Sequence, residues 1–259
     1  MSWASRRQFR VISVLTVIVL VLIAIPVYKK LNSPPTCTDR KQNGDERGVD
    51  CGGVCKNFCP NEVVGLSVKW ARAFPVSHGV YNVLAYVENQ NKSAAAQEVS
   101  YEFKVYNSER RLIARREGKT FISPNGVQPI IETGIQVGNE IPQFTNLTFT
   151  KAPVWVEVDP LVRALTVTVS SPVLTTTNRV RLDATTKNQS PKYPIVDATY
   201  TAILYNQEDN AIAVSKTSFA RLDPSDERTL IFTWPEPFSE TIARAEIVAR
   251  FNPFTQDVR

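Results

Sequence analysis

The chain has four cysteines, Cys37, Cys51, Cys55 and Cys59, and all lie within the stretch 37–60, CTDRKQNGDERGVDCGGVCKNFCP. Thiols at that density can pair as disulfides, hold zinc, or act as a redox or nucleophilic centre. Zinc knuckles are built on paired C-x2-C turns, whereas the spacings here are x13, x3 and x3. A redox centre wants C-x-x-C, which is absent, and the single histidine, His78, lies outside the stretch. An even cysteine count in a short segment with little apolar content suits two disulfides, in any of three pairings. The same residues space oxygen ligands at Asp39, Asn43, Asp45, Glu46 and Asp50. Hard cations are held by several carboxylate and carbonyl oxygens on a tight turn, so calcium is the one cofactor these residues suggest, although the EF-hand spacing is missing. The competing reading is a solvated loop in which Asp and Asn make turns.

Elsewhere the residues offer little chemistry. No Ser-His-Asp, Cys-His, H-E-x-x-H, Walker or G-x-G-x-x-G pattern is present, and residues 160–259 contain no glycine with which to cradle a phosphate. His78 sits between Pro75 and Gly79, as a turn residue would. The carboxylate pairs Glu208/Asp209 and Asp226/Glu227 are adjacent in turns, hence solvated. No catalytic residue is assigned and no enzyme is expected. In Trp234-Pro235-Glu236-Pro237-Phe238, Trp234 reads as the end of a strand capping a core. The rival reading is an exposed loop that stacks on sugar. Asn91, Asn146 and Asn188 each open an N-x-S/T glycosylation pattern.

A 24-residue segment so poor in apolar side chains cannot bury a core, so something covalent or ionic must close it. Ahead of it runs an uncharged segment, VISVLTVIVLVLIAIPVY, at 11–28. As a helix it would span roughly 27 Å, the thickness of a thin bilayer core. The run exceeds a signal peptide's hydrophobic region and no small-x-small cleavage site follows, so it reads as an uncleaved signal-anchor. Arg6, Arg7 and Arg10 place the tail 1–10 on the cytoplasmic side, against Lys29 and Lys30 on the other flank. Residues 29–36, with Pro34 and Pro35, form an extended linker. Residues 31–259 hold 25 Lys+Arg against 25 Asp+Glu. The excess of positive charge therefore belongs to the flanks of the anchor, which excludes a nucleic-acid binder with a basic folded surface.

Residues 61–259 contain a repeat. Sliding the sequence by 99 positions aligns 63–114 with 162–213 without a gap, with 12 of 52 positions identical, among them Asn89/Asn188, Tyr106/Tyr205 and Asn107/Asn206. Each copy reads as β: Val99, Tyr101, Phe103 and Val105 alternate with Ser100, Glu102 and Lys104, and Val180, Leu182 and Ala184 with Arg179, Arg181 and Asp183. Turn signals recur at a spacing that gives about seven strands per copy, the count of an immunoglobulin-like sandwich. The expected fold is mainly β. One transmembrane helix and the disulfide-rich module (37–60) precede two tandem sandwiches at 61–159 and 160–259. Trp70, Phe103, Trp155, Phe232 and Trp234 fill the cores, and the joint Val156-Glu157-Val158-Asp159-Pro160-Leu161 is short and stiff.

Two resemblances follow. The pattern C-x-D-x3-N-x2-E-x3-D-C-G-G-x-C, carried by Cys37, Asp39, Asn43, Glu46, Asp50, Cys51, Gly52, Gly53 and Cys55, resembles a module recurring in bacterial surface proteins. Arg40 stands where a Gly is usual, and Cys59 follows at x3 rather than x2. The middle strands Phe103-Lys104-Val105-Tyr106-Asn107 and Ala202-Ile203-Leu204-Tyr205-Asn206 resemble the FxLYD family of prokaryotic surface domains. Its N-x-S element looks like Asn89-Gln90-Asn91 and Asn188-Gln189-Ser190. Its L-x-P-G element looks like Leu222-Asp223-Pro224-Ser225. Asn replaces the final Asp in both copies, the second lacks the Phe, and Ser225 replaces the Gly. The resemblance implies β-sandwiches outside the membrane and no defined catalytic role. The expectation is a single-pass cell-membrane protein with extracytoplasmic C-terminal domains. It would bind or scaffold another envelope protein or a surface glycan; the alternative is a carbohydrate-binding or glycan-processing accessory.

Overall fold

The computed structural model describes residues 3–31, 36–176, 179–238 and 240–258, and within the N-terminal helix the side chains of residues 12–28. The chain divides into two compact units, Met1–Cys55 and Lys56–Arg259.

The first unit opens with helix α1 (Trp3–Leu31), which runs through Pro26. Every described side chain of α1 is exposed. Thr16 turns its hydroxyl back to donate to the Ile12 carbonyl at 2.9 Å, so that hydroxyl is satisfied within the helix. Among the described residues no helix is long and apolar enough to cross a membrane. The side chains of Arg6, Arg7, Arg10, Lys29 and Lys30, and the linker prolines Pro34 and Pro35, lie outside the described residues. The cysteine segment follows without regular structure.

The second unit is mainly β. Its first half holds β1 (Ser67–Ser77), β2 (Val80–Asn89), β3 (Ala94–Tyr106), β4 (Leu112–Ile122), β5 (Gly126–Gln136), β6 (Phe144–Phe149) and β7 (Trp155–Glu157). The short helix α2 (Pro160–Arg163), capped by the Asp159 carboxylate accepting from the Leu161 amide at 2.8 Å, leads into the second half. There follow β8 (Val167–Thr175), β9 (Val180–Asn188), β10 (Ile195–Tyr205), β11 (Ala211–Leu222), β12 (Glu227–Trp234) and β13 (Arg244–Arg250). The halves repeat one pairing scheme: sheets β1-β2-β5 and β4-β3-β6, the latter with β7 on β3, are matched by β12-β9-β8 and β11-β10-β13.

Each sheet pair encloses an apolar cluster. Val83, Ala85, Val87, Tyr101, Phe103 and Trp155 belong to the first; Leu182, Tyr200, Leu204, Phe232 and Trp234 belong to the second. The alternation along β9 holds as the sequence predicts. On β3 it is broken by Glu102, a buried carboxylate taken up by Lys104 at 2.9 Å and by Arg115.

A third cluster joins the pairs. Phe74 and Leu84 meet Ile203, Tyr205 and Val214, flanked by Trp70, Tyr86, Ile131 and Ala211. It explains the short continuous apolar runs at 83–87 in β2 and 202–205 in β10: alternate residues serve a sheet-pair core and the seam, so both faces are covered there. Trp70 lies here, stacked on Tyr86 with ring centroids 5.0 Å apart, rather than in the core of its own sheet pair. The seam uses faces that the other copy does not offer. Leu84 corresponds to Asp183 and Ile203 to Lys104, so the faces equivalent to the seam are charged.

Candidate functional site

The cysteine segment is oxidised throughout. Cys37 is bonded to Cys55, Cys51 and Cys59 are disulfide-bonded as well, and no cysteine is free. Of the three chemistries open to these thiols, disulfide pairing is the one present; a bonded sulfur offers neither a zinc-binding thiolate nor a nucleophile.

The calcium expectation is corrected by how the five oxygen-bearing residues are used. Asp39 accepts from the Lys41 amide at 2.9 Å and from Asn43 Nδ2 at 2.8 Å. Asp50 takes the Arg40 amide on both oxygens, at 3.1 and 2.9 Å. Glu46 accepts from the Asp50 amide at 3.2 Å and the Asn43 amide at 3.4 Å. These carboxylates shape the loop that carries them. Asp45 contributes backbone: a Cβ built on Gly53 would fall 1.7 Å from its carbonyl oxygen, so that glycine permits the close approach. Among the described residues the one group with metal-ligand spacing is Cys37, Glu46 and Cys55, and its two sulfurs are bonded to each other. Calcium is not supported.

Other residues singled out in the sequence also resolve. His78 is exposed in the β1–β2 turn. Asp209 is paired with Arg244 and Asp226 with Arg228, each at a strand end. Trp234 ends β12, buried, with its indole N–H donating to the Val214 carbonyl at 3.2 Å. Asn188 is fully buried, so its N-x-S pattern is closed to glycosylation, whereas Asn146 is exposed.

The N-x-S elements are structural clamps. Asn89 Nδ2 donates to the Ala94 and Ser123 carbonyls, both at 2.8 Å, while its Oδ1 accepts the Asn91 amide at 3.0 Å. Asn188 donates to the Tyr193, Leu222 and Asp223 carbonyls and accepts the Ser190 amide at 2.9 Å. Asn107 and Asn206 rule the next hairpins in the same doubled fashion. Each accepts two backbone amides on Oδ1 and donates Nδ2 to a glutamate, Glu140 at 3.1 Å and Glu240 at 2.5 Å.

The seam carries polar groups that sequence reasoning missed. Tyr86 and Tyr205 both donate to Glu246, beside which Arg244 lies over the Tyr205 ring, 3.6 Å from its centroid. Burial, and then the Glu246 carboxylate, push the Tyr86 hydroxyl far up and the Tyr205 hydroxyl up to about 12. Arg250 at the end of β13 donates to the carbonyls of Pro129 and Phe121 and lies over the Phe121 ring. Burial pulls its guanidinium down to about 10, still charged at neutral pH. Pairwise spacing could not reveal the Tyr86–Glu246 and Arg250 contacts, because they join strands of different sheets far apart in the chain.

No family model matches the chain, and no curated protein matches it. Among solved structures, the crystal structure of red sea bream transglutaminase is similar to it at 11% identity and a TM-score of 0.23. The match covers 74% of this chain but only 30% of that one, and likeness at this level carries no argument.

Proposed function

We propose that the chain is a single-pass, membrane-anchored protein of the cell envelope, whose disulfide module and two tandem immunoglobulin-like sandwiches act outside the membrane as a binding or scaffolding module. The observation that carries this reading is the surface of α1: from Ile12 to Tyr28 it is uncharged and exposed on every side. A helix apolar all round needs a covering, and its many β-branched residues suit a medium in which only helical backbone is satisfied. Oxidised cysteines agree with an extracytoplasmic compartment.

Supporting the two family resemblances, Arg40 and Ser225, each standing where glycine is usual, both adopt positive φ, at 61° and 60°. The aromatic rings favour scaffolding over the glycan alternative. Among described residues of the second unit Phe144 is the one exposed Phe, Tyr or Trp ring, while Trp70 and Tyr86 are taken up in the seam between the chain's own sheet pairs. The test is extraction and protease treatment of intact cells carrying the protein. The expected result is retention in the membrane after alkaline carbonate, with residues 56–259 digested from outside; release by carbonate, or protection from protease, overturns it. Crosslinking on the same cells then identifies the envelope partner.

A further inference from the structure

Many charges of the β unit are answered by opposite charges. Lys69 meets Glu88, Lys119 meets Glu98, Arg116 meets Glu132, Arg181 meets Asp183, Arg221 meets Asp223 and Arg228 meets Asp226. One concavity gathers three cations and no carboxylate. A cleft of about 450 Å³ opens where the β2–β3 turn and the start of β5 approach α2 and the end of β13. Its charged lining consists of Lys92, Arg163 and Arg250, with no carboxylate. Among the described residues none of the three is ion-paired. Arg250 directs its Nη donors to carbonyls, and its Nε is buried without a partner. Lys92 and Arg163 are exposed at the rim. Between the cations the wall is apolar, with Val127, Val162 and Phe251.

Three cations converging on one concavity without counter-charge raise the local positive potential, and low-dielectric walls focus it. The chain's near-zero net charge beyond the anchor makes this a local arrangement rather than a general basicity. The size falls in the range of small-molecule sites, in which an apolar wall binds a ligand's body and a few polar groups orient it. Arginine and lysine are the side chains that take carboxylates and phosphates, Arg by its fork and Lys as a point charge.

From this convergence we infer that the cleft binds an organic anion, a carboxylate or phosphate borne on a short apolar body. The anionic head lies between Lys92 and Arg163 at the rim, and the body lies along Val127, Val162 and Phe251. Arg250 holds the floor, tying β13 to the first sheet pair. The inference does not rest on membrane anchoring.

The experiment titrates full-length protein in nanodiscs with hexanoate, hexyl phosphate, hexanol and inorganic phosphate, following the methyl resonances of Val127 and Val162. Saturable shifts with hexanoate or hexyl phosphate are expected, and whichever binds tighter identifies the head group. Hexanol should give none and inorganic phosphate should bind at least ~tenfold more weakly, since the apolar body is then missing. A Lys92→Glu/Arg163→Glu variant should lose ~tenfold or more in affinity. Both side chains are exposed and make no ion pair among the described residues, so the variant is expected to fold. Its Val162 methyl dispersion without ligand checks this, and the single variants Lys92→Gln and Arg163→Gln serve if it fails. No saturable shift with either organic anion, an equal response to hexanol, or unchanged affinity in the folded variants overturns the inference.

Discussion

Tyr86 of the first sheet pair and Tyr205 of the second donate their hydroxyls to the two oxygens of one carboxylate, Glu246, at 2.7 and 2.9 Å. The three groups stand beside the apolar seam formed by Phe74, Leu84 and Ile203. The Glu246 side chain is 37% exposed, so an oxygen deprived of its donor is partly rehydrated and the loss is that of one hydrogen bond, about 0.5–1.5 kcal/mol. Tyr86→Phe and Tyr205→Phe should each destabilise by that amount in urea unfolding. Pairing Tyr86→Phe with Glu246→Gln in a double-mutant cycle should expose a coupling above ~0.5 kcal/mol, and simple additivity would show that the shared carboxylate does not link the pairs.

The seam itself can be reversed by swapping in the residue that the other copy carries. Leu84→Asp installs the side chain of Asp183, and Ile203→Lys that of Lys104, each in a fully buried position. A cost of about 2–5 kcal/mol follows from the lost apolar contact, with more from the unpaired charge. Neither residue belongs to the cluster inside a sheet pair. Calorimetry should therefore turn one cooperative transition into two, and a single transition at lower temperature would mean that the pairs do not fold as separate cores.

How much of this was legible from the sequence depends on the range of the interaction. The one-sided strand β9, the capping role of Trp234 and the oxidised cysteines are local or periodic features and could be read directly, whereas the buried Glu102 on β3 could not. The 99-residue shift brought Asn89 onto Asn188 and Asn107 onto Asn206, but spacing does not show that these amides are buried clamps. The seam was out of reach, because the first pair uses its β1-β2-β5 face and the second uses the sheet equivalent to β4-β3-β6. A repeat predicts like elements, not which unlike faces meet. The continuous apolar stretches at 83–87 and 202–205 were the available signal, since a strand covered on one side would alternate there. The acidic spacing at Asp39, Asn43, Asp45, Glu46 and Asp50 misled for a related reason. Oxygen ligands and turn-forming acceptors are the same residue types, and only geometry separates them.

Positive φ at Arg40 and Ser225 gives a prediction opposite in sign. A side chain in the left-handed region carries a strain of roughly 1–2 kcal/mol, part of which glycine returns as unfolded-state entropy. Arg40→Gly and Ser225→Gly should each stabilise by about 0.5–1 kcal/mol, read as a rise in urea midpoint at unchanged slope. The Ser225 amide donates to the Ser190 carbonyl at 3.0 Å through its backbone, so the substitution leaves that bond in place. A fall in midpoint for both variants would contradict the strained geometry.

Asn206 and Glu240 show why an aspartate would not serve at the end of this strand. Nδ2 donates to the glutamate, which an aspartate could not do. Asn206→Asp would set a buried carboxylate within hydrogen-bonding distance of the exposed Glu240, at a cost of about 1 kcal/mol at neutral pH. The same holds for Asn107→Asp against Glu140. Both losses should shrink as pH falls and one carboxyl of the pair takes a proton, and Asn206→Asp combined with Glu240→Gln should recover most of the stability. A loss independent of pH and of residue 240 would place the effect in the hairpin amides instead.

The raised tyrosine hydroxyls set a limit on stability in alkali. Burial lifts Tyr86, Tyr101, Tyr200 and Tyr205, aided at three of them by a carboxylate acceptor: Glu246 for Tyr86 and Tyr205, Glu132 for Tyr101. A folded value above the unfolded one means that the native state holds its proton more tightly. The associated stability is therefore complete below the unfolded value, about pH 10. It is lost as pH rises through the folded value, about 12 for Tyr205. Of the eight tyrosines, these four should ionise only together with unfolding, giving a second, cooperative rise in tyrosinate absorbance. Replacing Glu246 with Gln removes the acceptor charge, so Tyr86 and Tyr205 should ionise at lower pH and the alkaline unfolding midpoint should move down with them. Reversible ionisation of all eight near pH 10 with the β signal intact would remove the coupling between these hydroxyls and the fold.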